Sequence, residues 1–251
     1  MIDTNKIYNE NCLSTMAKMP DSFVDLTFTS PPYNMRTRVR NGEYTVRERS
    51  EHFSKKYKYF DDALSISDYY EFHHKVISEL LRVSNMIIWN VQIVTGSKEA
   101  IFKLIGDFNT NIKDIIIWDK NWGQPSMHEN CINRGTEYLI IFEKNASAGR
   151  TLKRAFFERG TMSDIWRVGK NVNTHGGKNH QATFPIKLVE KALAGFSKEG
   201  DLIYDPFMGT GTTAVASKNM DRNFIGSEIS EEYCDICNER LENIKSKNKL
   251  F

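Results

Sequence analysis

The chain has 251 residues, 40% hydrophobic and 26% charged, with 34 Lys and Arg against 32 Asp and Glu. That apolar share excludes global disorder, and the length suits one α/β domain or at most two small ones. No run of about 18 apolar residues occurs, and the opening MIDTNKIYNE has no apolar signal segment, so a soluble cytoplasmic protein without a membrane partner is expected. Short apolar stretches predict strands at 6–8, 23–28, 85–91, 112–118, 138–142, 202–204 and 223–225. Between them, helical spacing is predicted over 67–83, 96–108 and 184–196, with a last long helix entered from Ser230, a good N-cap. Strands alternating with amphipathic helices argue for a mostly parallel sheet covered on both faces, in a single domain spanning 1–251.

The net charge of +2 argues little, but its distribution says more. Arg36, Arg38, Arg40, Arg47, Arg49, Lys55, Lys56 and Lys58 crowd into one stretch against Glu43, Glu48 and Glu51, with Tyr44, Phe53 and Tyr57 interleaved. Cations for phosphates and rings for bases fit a nucleic-acid surface, and a solvated loop fits equally well on this segment alone. Four cysteines do not make a disulfide framework. Cys234 and Cys237 form one C-x-x-C within a helix, with no second pair to complete a zinc site, so they are expected to pack as small hydrophobes. His73 and His74 are expected to be packing or surface residues rather than metal ligands.

Two turns carry the chemistry. The strand SFVDLTF runs into TSPPYN (29–34), where two prolines end the ladder and hold a rigid corner between a hydroxyl and an aromatic ring. Near the other end, LIYDPFMGTGTTA (202–214) is a buried strand, a Gly-rich turn and a helix start. Gly209 and Gly211 let a ligand approach the backbone, and Glu228 ends the next strand at the spacing of an acid that binds ribose hydroxyls. By spacing alone NAD, FAD or S-adenosylmethionine would satisfy this loop; a P-loop is disfavoured because no Lys-Ser/Thr follows the second glycine. Asp205 before the glycines suits a ligand carrying an ammonium or sulfonium group better than a bare pyrophosphate.

Together these residues resemble the S-adenosylmethionine-dependent DNA amino-methyltransferases. Ser30-Pro31-Pro32-Tyr33 matches the catalytic [DNS]-P-P-[YFW] motif, and Asp205-Pro206-Phe207-Met208-Gly209-Thr210-Gly211-Thr212 matches the cofactor loop D-P-F-x-G-x-G-T. The order, catalytic motif first, is that of the family's β group. The resemblance implies a Rossmann-like methyltransferase sheet in circularly permuted order, mostly parallel with an antiparallel late strand. It also implies S-adenosylmethionine as cofactor, with no metal, and double-stranded DNA as substrate. A cognate restriction endonuclease and a homodimer stand as open partners.

For individual residues, the resemblance implies that the Ser30 side chain and the Pro31 carbonyl accept from the target amino group while Tyr33 stacks on the base. Asp205, Phe207, Gly209, Thr210, Gly211, Thr212, Thr213 and Glu228 would hold the cofactor. Thr183 and Phe184, in NHQATFPIKLVEKAL, stand at the helix entry beside the cofactor's methionine end, and Asn11 replaces an acid that would meet its adenine. A base inside a duplex cannot reach the corner, so it must be flipped out. The stretch 35–60 is then a basic DNA-clamping loop, and 144–180 a short target-recognition insertion. Arg150, Lys153, Arg154, Arg159, Lys178 and Asn179 are its candidate contacts. Serine at position 30 favours N4 of cytosine modestly over N6 of adenine. Two rival classes are an inactive DNA-binding module of the same fold and a nicotinamide-dependent oxidoreductase, which leaves TSPPYN without a role.

Overall fold

The computed structural model describes residues 2–40, 43–46, 63–124, 129–169 and 184–248. In chain order the elements are β1 (Lys6–Tyr8), α1 (Cys12–Met16), β2 (Val24–Thr29), β3 (Thr37–Arg40), β4 (Glu43–Val46), α2 (Ile66–Val83), β5 (Ser84–Val91) and α3 (Lys98–Asp107). The second half supplies β6 (Ile112–Gln124), β7 (Arg134–Glu143), β8 (Ile165–Arg167), α4 (Ile186–Phe196), β9 (Leu202–Asp205), α5 (Thr212–Asn219), β10 (Asn223–Ser227) and α6 (Glu231–Asn248). Eight strands form one sheet in the order β1-β10-β9-β2-β5-β7-β6-β8, and β3 and β4 form a separate hairpin. Among the paired strands of the large sheet only β7 runs against its neighbours.

The central strands read as unbroken apolar runs because both faces are covered. Along β5, Met86 and Ile88 enter one core while Ile87, Trp89 and Val91 enter the other. In β7, Leu139 and Ile141 alternate with Ile140 and Phe142 in the same way. Helix α2 covers the first face with Val76, Ile77, Leu80 and Val83, and α4 covers the opposite face with Leu188, Val189, Ala192 and Leu193. Each such side chain contributes about 1.5–3 kcal/mol by leaving water, so these two stripes anchor the layers. Ser65 starts α2 by accepting from the Asp68 backbone N–H at 3.0 Å.

The chain leaves β2 through α2 to β5 on one side, whereas β9 continues through α5 to β10 on the other. The direction of winding therefore reverses between β2 and β9. In an open α/β sheet the crevice at such a reversal, outside the carboxyl ends of the strands, is where ligands bind. Both motif turns leave the sheet at this edge.

Three expectations need amendment. Within 35–60, the loop expected to clamp DNA contains the β3–β4 hairpin, paired Thr37↔Val46 to Arg40↔Glu43. Within 144–180, the polar insertion contains β8, which extends the sheet parallel to β6. Trp166 on β8 is fully buried and stacks on Phe196 at 6.3 Å, so this segment completes the core as well. Strands β6 and β7 also outrun their apolar stretches, to Gln124 and back from Arg134, because antiparallel backbone pairing continues past the covered part of the sheet.

Candidate active site

The Pro-Pro corner follows directly from the end of β2. Pro31, Pro32 and Tyr33 are buried and Ser30 is half-buried. Tyr69 on α2 donates its hydroxyl to the Pro32 carbonyl at 2.8 Å, which fixes the corner against the first helix layer. Asn34 then turns the chain in the left-handed region, φ 56°, and its amide donates to the carbonyls of Leu64 at 2.9 Å and Gly96 at 2.8 Å. The corner is thus held from three sides.

Its functional groups meet residues that the motif does not contain. The Ser30 hydroxyl lies 2.8 Å from the Tyr33 hydroxyl, and the latter donates to Glu137 Oε2 at 3.0 Å. Asn90 Nδ2 donates to the same Glu137 oxygen at 2.8 Å and lies 3.1 Å from Tyr33 Oη and 3.3 Å from Ser30 Oγ. Lys120 Nζ stands 3.1 Å from Glu137 Oε1 in an ion pair whose side chains are 3% and 10% exposed. Asn90 lies next to the end of β5, Lys120 on β6 and Glu137 in the first half of β7, so the reversed direction of β7 is what brings its early residues to this edge.

The glycine loop is bonded to the same corner. Asp205 is fully buried; its Oδ1 accepts from the Thr29 hydroxyl at 2.7 Å and the Phe207 N–H at 3.0 Å, and its Oδ2 from the Thr213 hydroxyl at 2.7 Å. Burial pushes its carboxyl up from 3.8 to about 6, even though the Thr213 and Thr29 hydroxyls and the Phe207 N–H act in the opposite direction. Gly209 and Gly211 have φ of 54° and 85°, the conformation glycine adopts without cost, and Gly211 is the N-cap of α5. Glu228, just past β10, accepts from the Gly209 N–H at 2.8 Å and the Ser230 N–H at 2.9 Å. Burial raises its carboxyl too, against the pull of the Ser230 and Gly209 N–H groups. Behind the loop, Arg240 of α6 donates to the Thr210 carbonyl, and the buried Cys237 sulfur sits where any side chain at position 211 would go.

A DNA methylase family model matches residues 24–239, a span that includes both turns. The chain belongs to that family. It is 28% identical to the type II methyltransferase M.HinfI of Haemophilus influenzae over 96% of this chain and 69% of that one. It is 29% identical to the orphan methyltransferase M.BamHII of Bacillus amyloliquefaciens over 89% of this chain and 90% of the relative. Among solved structures, PvuII DNA methyltransferase, named as cytosine-N4-specific, superposes with a TM-score of 0.71 at 16% identity, covering 96% of this chain and 87% of that one. M1.HpyAVI, solved in complex with S-adenosylmethionine, superposes with a TM-score of 0.61 at 22% identity, covering 94% and 98%. The chain is thus a DNA amino-methyltransferase of the N4-cytosine/N6-adenine type with the Rossmann-like sheet that the resemblance implied.

Within this methylase, the expected cofactor residues fall into several groups. Asp205, Gly209, Thr210, Gly211, Thr212, Thr213 and Glu228 form one turn, with Thr210, Thr212 and Thr213 buried in it. The Asp205 carboxylate faces the loop's own Thr213 hydroxyl and Phe207 N–H together with the Thr29 hydroxyl of β2, so it organises the turn and ties it to the corner. The Phe207 ring packs on Phe72 and on His73, each at 6.1 Å. Phe184 meets the Phe28 ring edge-on at 5.4 Å, beside the end of β2. The Asn11 side chain accepts from the Leu13 N–H at 2.9 Å and caps α1, a short helix that the sequence reading did not anticipate.

The residues expected to face DNA divide differently. Arg36 and Arg40 belong to the hairpin segment, and Arg38 lies on β3. Arg47, Arg49, Lys55, Lys56, Lys178 and Thr183 lie outside the described residues. Arg154 was expected to contact DNA but pairs instead with Asp25 at 3.1 Å and with Asp201, with its side chain 17% exposed. It ties the 144–169 segment to β2 and to the turn before β9, where a phosphate would have to displace two carboxylates. Lys153 likewise spends its ammonium on the Lys144 and Asn145 carbonyls, and Arg150 pairs with Asp114 at 3.3 Å. Trp118 is 2% exposed and its indole N–H donates to the Val168 carbonyl at 2.8 Å, a core role. Asn90, Lys120 and Glu137 were missed; the only signal for them was a polar residue at each end of an apolar run, in IIWNV, IIIWDK and EYLIIFEK.

Proposed function

We propose that this methylase uses S-adenosylmethionine to methylate the exocyclic amino group of a base extruded from double-stranded DNA, with N4 of cytosine favoured over N6 of adenine. The observation that carries this reading is the Thr29–Asp205 hydrogen bond, which locks the Ser30–Tyr33 corner to the glycine loop across the reversal of the sheet. The residues present fit the cofactor: Gly209 and Gly211 leave the turn without side chains, and Glu228 offers a carboxylate at the end of β10. Gly209, Thr210, Gly211 and Glu228 would hold it, with Phe184 and Phe207 as its apolar walls. When bound, it supplies an electrophilic methyl group on a sulfonium.

The chain's own part is to make a poor nucleophile competent. The lone pair of an exocyclic amine is delocalised into the ring, and acceptors on its two hydrogens favour a pyramidal nitrogen. Ser30 and the Pro31 carbonyl serve as those acceptors, and proline's fixed φ keeps the carbonyl aimed. Tyr33 stacks on the base and returns part of the unstacking cost of a few kcal/mol. Arg36, Arg38 and Arg40, following directly on the corner, grip the phosphates around the extruded nucleotide. A cognate restriction endonuclease, as the type II relatives' names invite, and a homodimer remain part of this reading.

The test is transfer from tritiated S-adenosylmethionine to mixed-sequence DNA, followed by digestion to nucleosides and mass identification. N4-Methylcytosine supports the full reading, whereas N6-methyladenine keeps the mechanism and reverses the base. Cofactor binding with no methylated nucleoside would favour the inactive DNA-binding module.

A further inference from the structure

The buried ion pair Lys120–Glu137 has no role in the motif chemistry, yet it ends a chain of hydrogen bonds that starts at Ser30. We infer that Glu137, held by Lys120, is a positioning residue that fixes the proton direction along Glu137–Tyr33–Ser30 and so keeps the Ser30 oxygen available as an acceptor. This rests on the proposed amino-methylation at that corner.

The argument follows from donor counts. The two Glu137 oxygens face three donors: the Lys120 ammonium at 3.1 Å, the Asn90 amide at 2.8 Å and the Tyr33 hydroxyl at 3.0 Å. An ionised carboxylate can only accept, so the Tyr33 proton points toward it. The alternative acceptor for that proton, the Asn90 carbonyl, is farther away at 3.5 Å. With its proton committed, the Tyr33 oxygen acts as an acceptor toward Ser30 across their 2.8 Å contact. The Ser30 hydroxyl then donates to Tyr33 and turns its lone pairs outward. One faces Asn90 Nδ2 at 3.3 Å, and the other is left for an N–H of the target amine. Without the carboxylate the chain can reverse, and Ser30 would then point a proton at the nucleophile it should receive from. The pair is nearly dry, and a charge buried without its partner is costly, so Lys120 is the partner that holds the Glu137 side chain in place.

The test compares single-turnover methyl transfer, cofactor affinity and thermal melting across variants. Because Glu137→Leu strands the Lys120 charge and can impair folding, the double variant Lys120→Met/Glu137→Leu, which removes both charges and the acceptor for the Tyr33 proton while keeping the site filled, is measured beside it. The transfer rate should fall about 100-fold, the scale of losing one aimed hydrogen-bonding group, while cofactor affinity stays within about twofold. If the effect travels through the Tyr33 hydroxyl, then adding the double change to Tyr33→Phe should lower the rate by less than about threefold further, since effects through one shared path are not additive. A full additional loss in the Tyr33→Phe background, an unchanged rate in the double variant, or cofactor affinity falling in parallel with the rate would each overturn the inference while leaving the methylation reading intact. A wild-type protein that binds cofactor and methylates no DNA would overturn both.

Discussion

Thr29 donates its hydroxyl to Asp205 at 2.7 Å, joining the end of β2 to the end of β9 across 176 positions of sequence. This one bond makes the Pro-Pro corner and the glycine turn a single object. It also places a carboxyl group in full burial, with consequences for pH.

Asp205 has its folded-state pKa raised from 3.8 to about 6, chiefly by burial. The native state therefore holds a proton there that the unfolded chain has released. The stabilising contribution is complete below pH 3.8 and is lost as pH rises through about 6, a change of about 3 kcal/mol. Asp205→Asn removes that slope. Its stability relative to wild type should rise between pH 4 and 6.5, as read by urea unfolding at each pH.

His73 predicts a slope of the opposite sign. It is fully buried among Tyr69, Phe72, Trp89 and Phe207, neither ring nitrogen has a hydrogen-bond partner, and burial lowers its pKa from 6.5 to about 3. Its neutral form adds no pH dependence above pH 6.5, and stability is lost as pH falls from there toward 3. His73→Phe should flatten the acid limb of the stability curve. Melting temperatures that keep the same acid dependence would locate that dependence elsewhere.

Gly211→Ala combines two faults. The residue has φ of 85°, and a Cβ there would run into the Cys237 sulfur of α6. Left-handed backbone costs a non-glycine residue about 1–2 kcal/mol, and overpacking adds about 1–3 more. Adding Cys237→Ala removes the sulfur but leaves a Cβ 2.9 Å away, so it should relieve part of the collision and leave the backbone term. The double variant is therefore expected to melt above the single one and below wild type.

The arginines separate into a framework group and a group expected to face DNA. Arg154→Ala strands Asp25 and Asp201 and should cost about 3 kcal/mol of stability, with DNA affinity per folded molecule unchanged. Arg40 is exposed on β3, so Arg40→Ala should barely change stability, and Arg36→Ala is measured beside it. Each should weaken DNA binding and reduce its salt dependence by about one counterion per arginine, read as the slope of log affinity against log salt.

Much of this was legible in the sequence because the decisive signals are local. TSPPYN and DPFMGTG each state a backbone geometry through Pro and Gly, and unbroken apolar runs such as NMIIWNV state a strand buried on both faces. The reversed strand was anticipated only through the family resemblance. Glu137 and Lys120 were not legible, since a charged residue at a strand end reads as the solvated edge of the sheet. Only the pairing of β5, β7 and β6 brings them together behind Tyr33. Arg154 failed for the converse reason: a basic residue in a polar stretch says nothing of the two acids, from β2 and from the turn before β9, that surround it. The hairpin at 37–46 was hidden because its alternation, TRVR against EYTV, places charges where a half-exposed strand needs only polarity.

The permuted order also sets a timetable. Strand β2 lies between β5, whose pairing residues follow within about sixty positions, and β9, whose Asp205 follows after 176. At synthesis rates of about 5–20 residues per second, one edge of the most apolar part of the sheet waits roughly 10–35 s for its neighbour. During that interval Leu26 and Phe28 border an open ladder, the arrangement most prone to pairing with the wrong chain. A newly made molecule therefore carries the groups that would receive a base well before it has anything with which to hold a methyl donor.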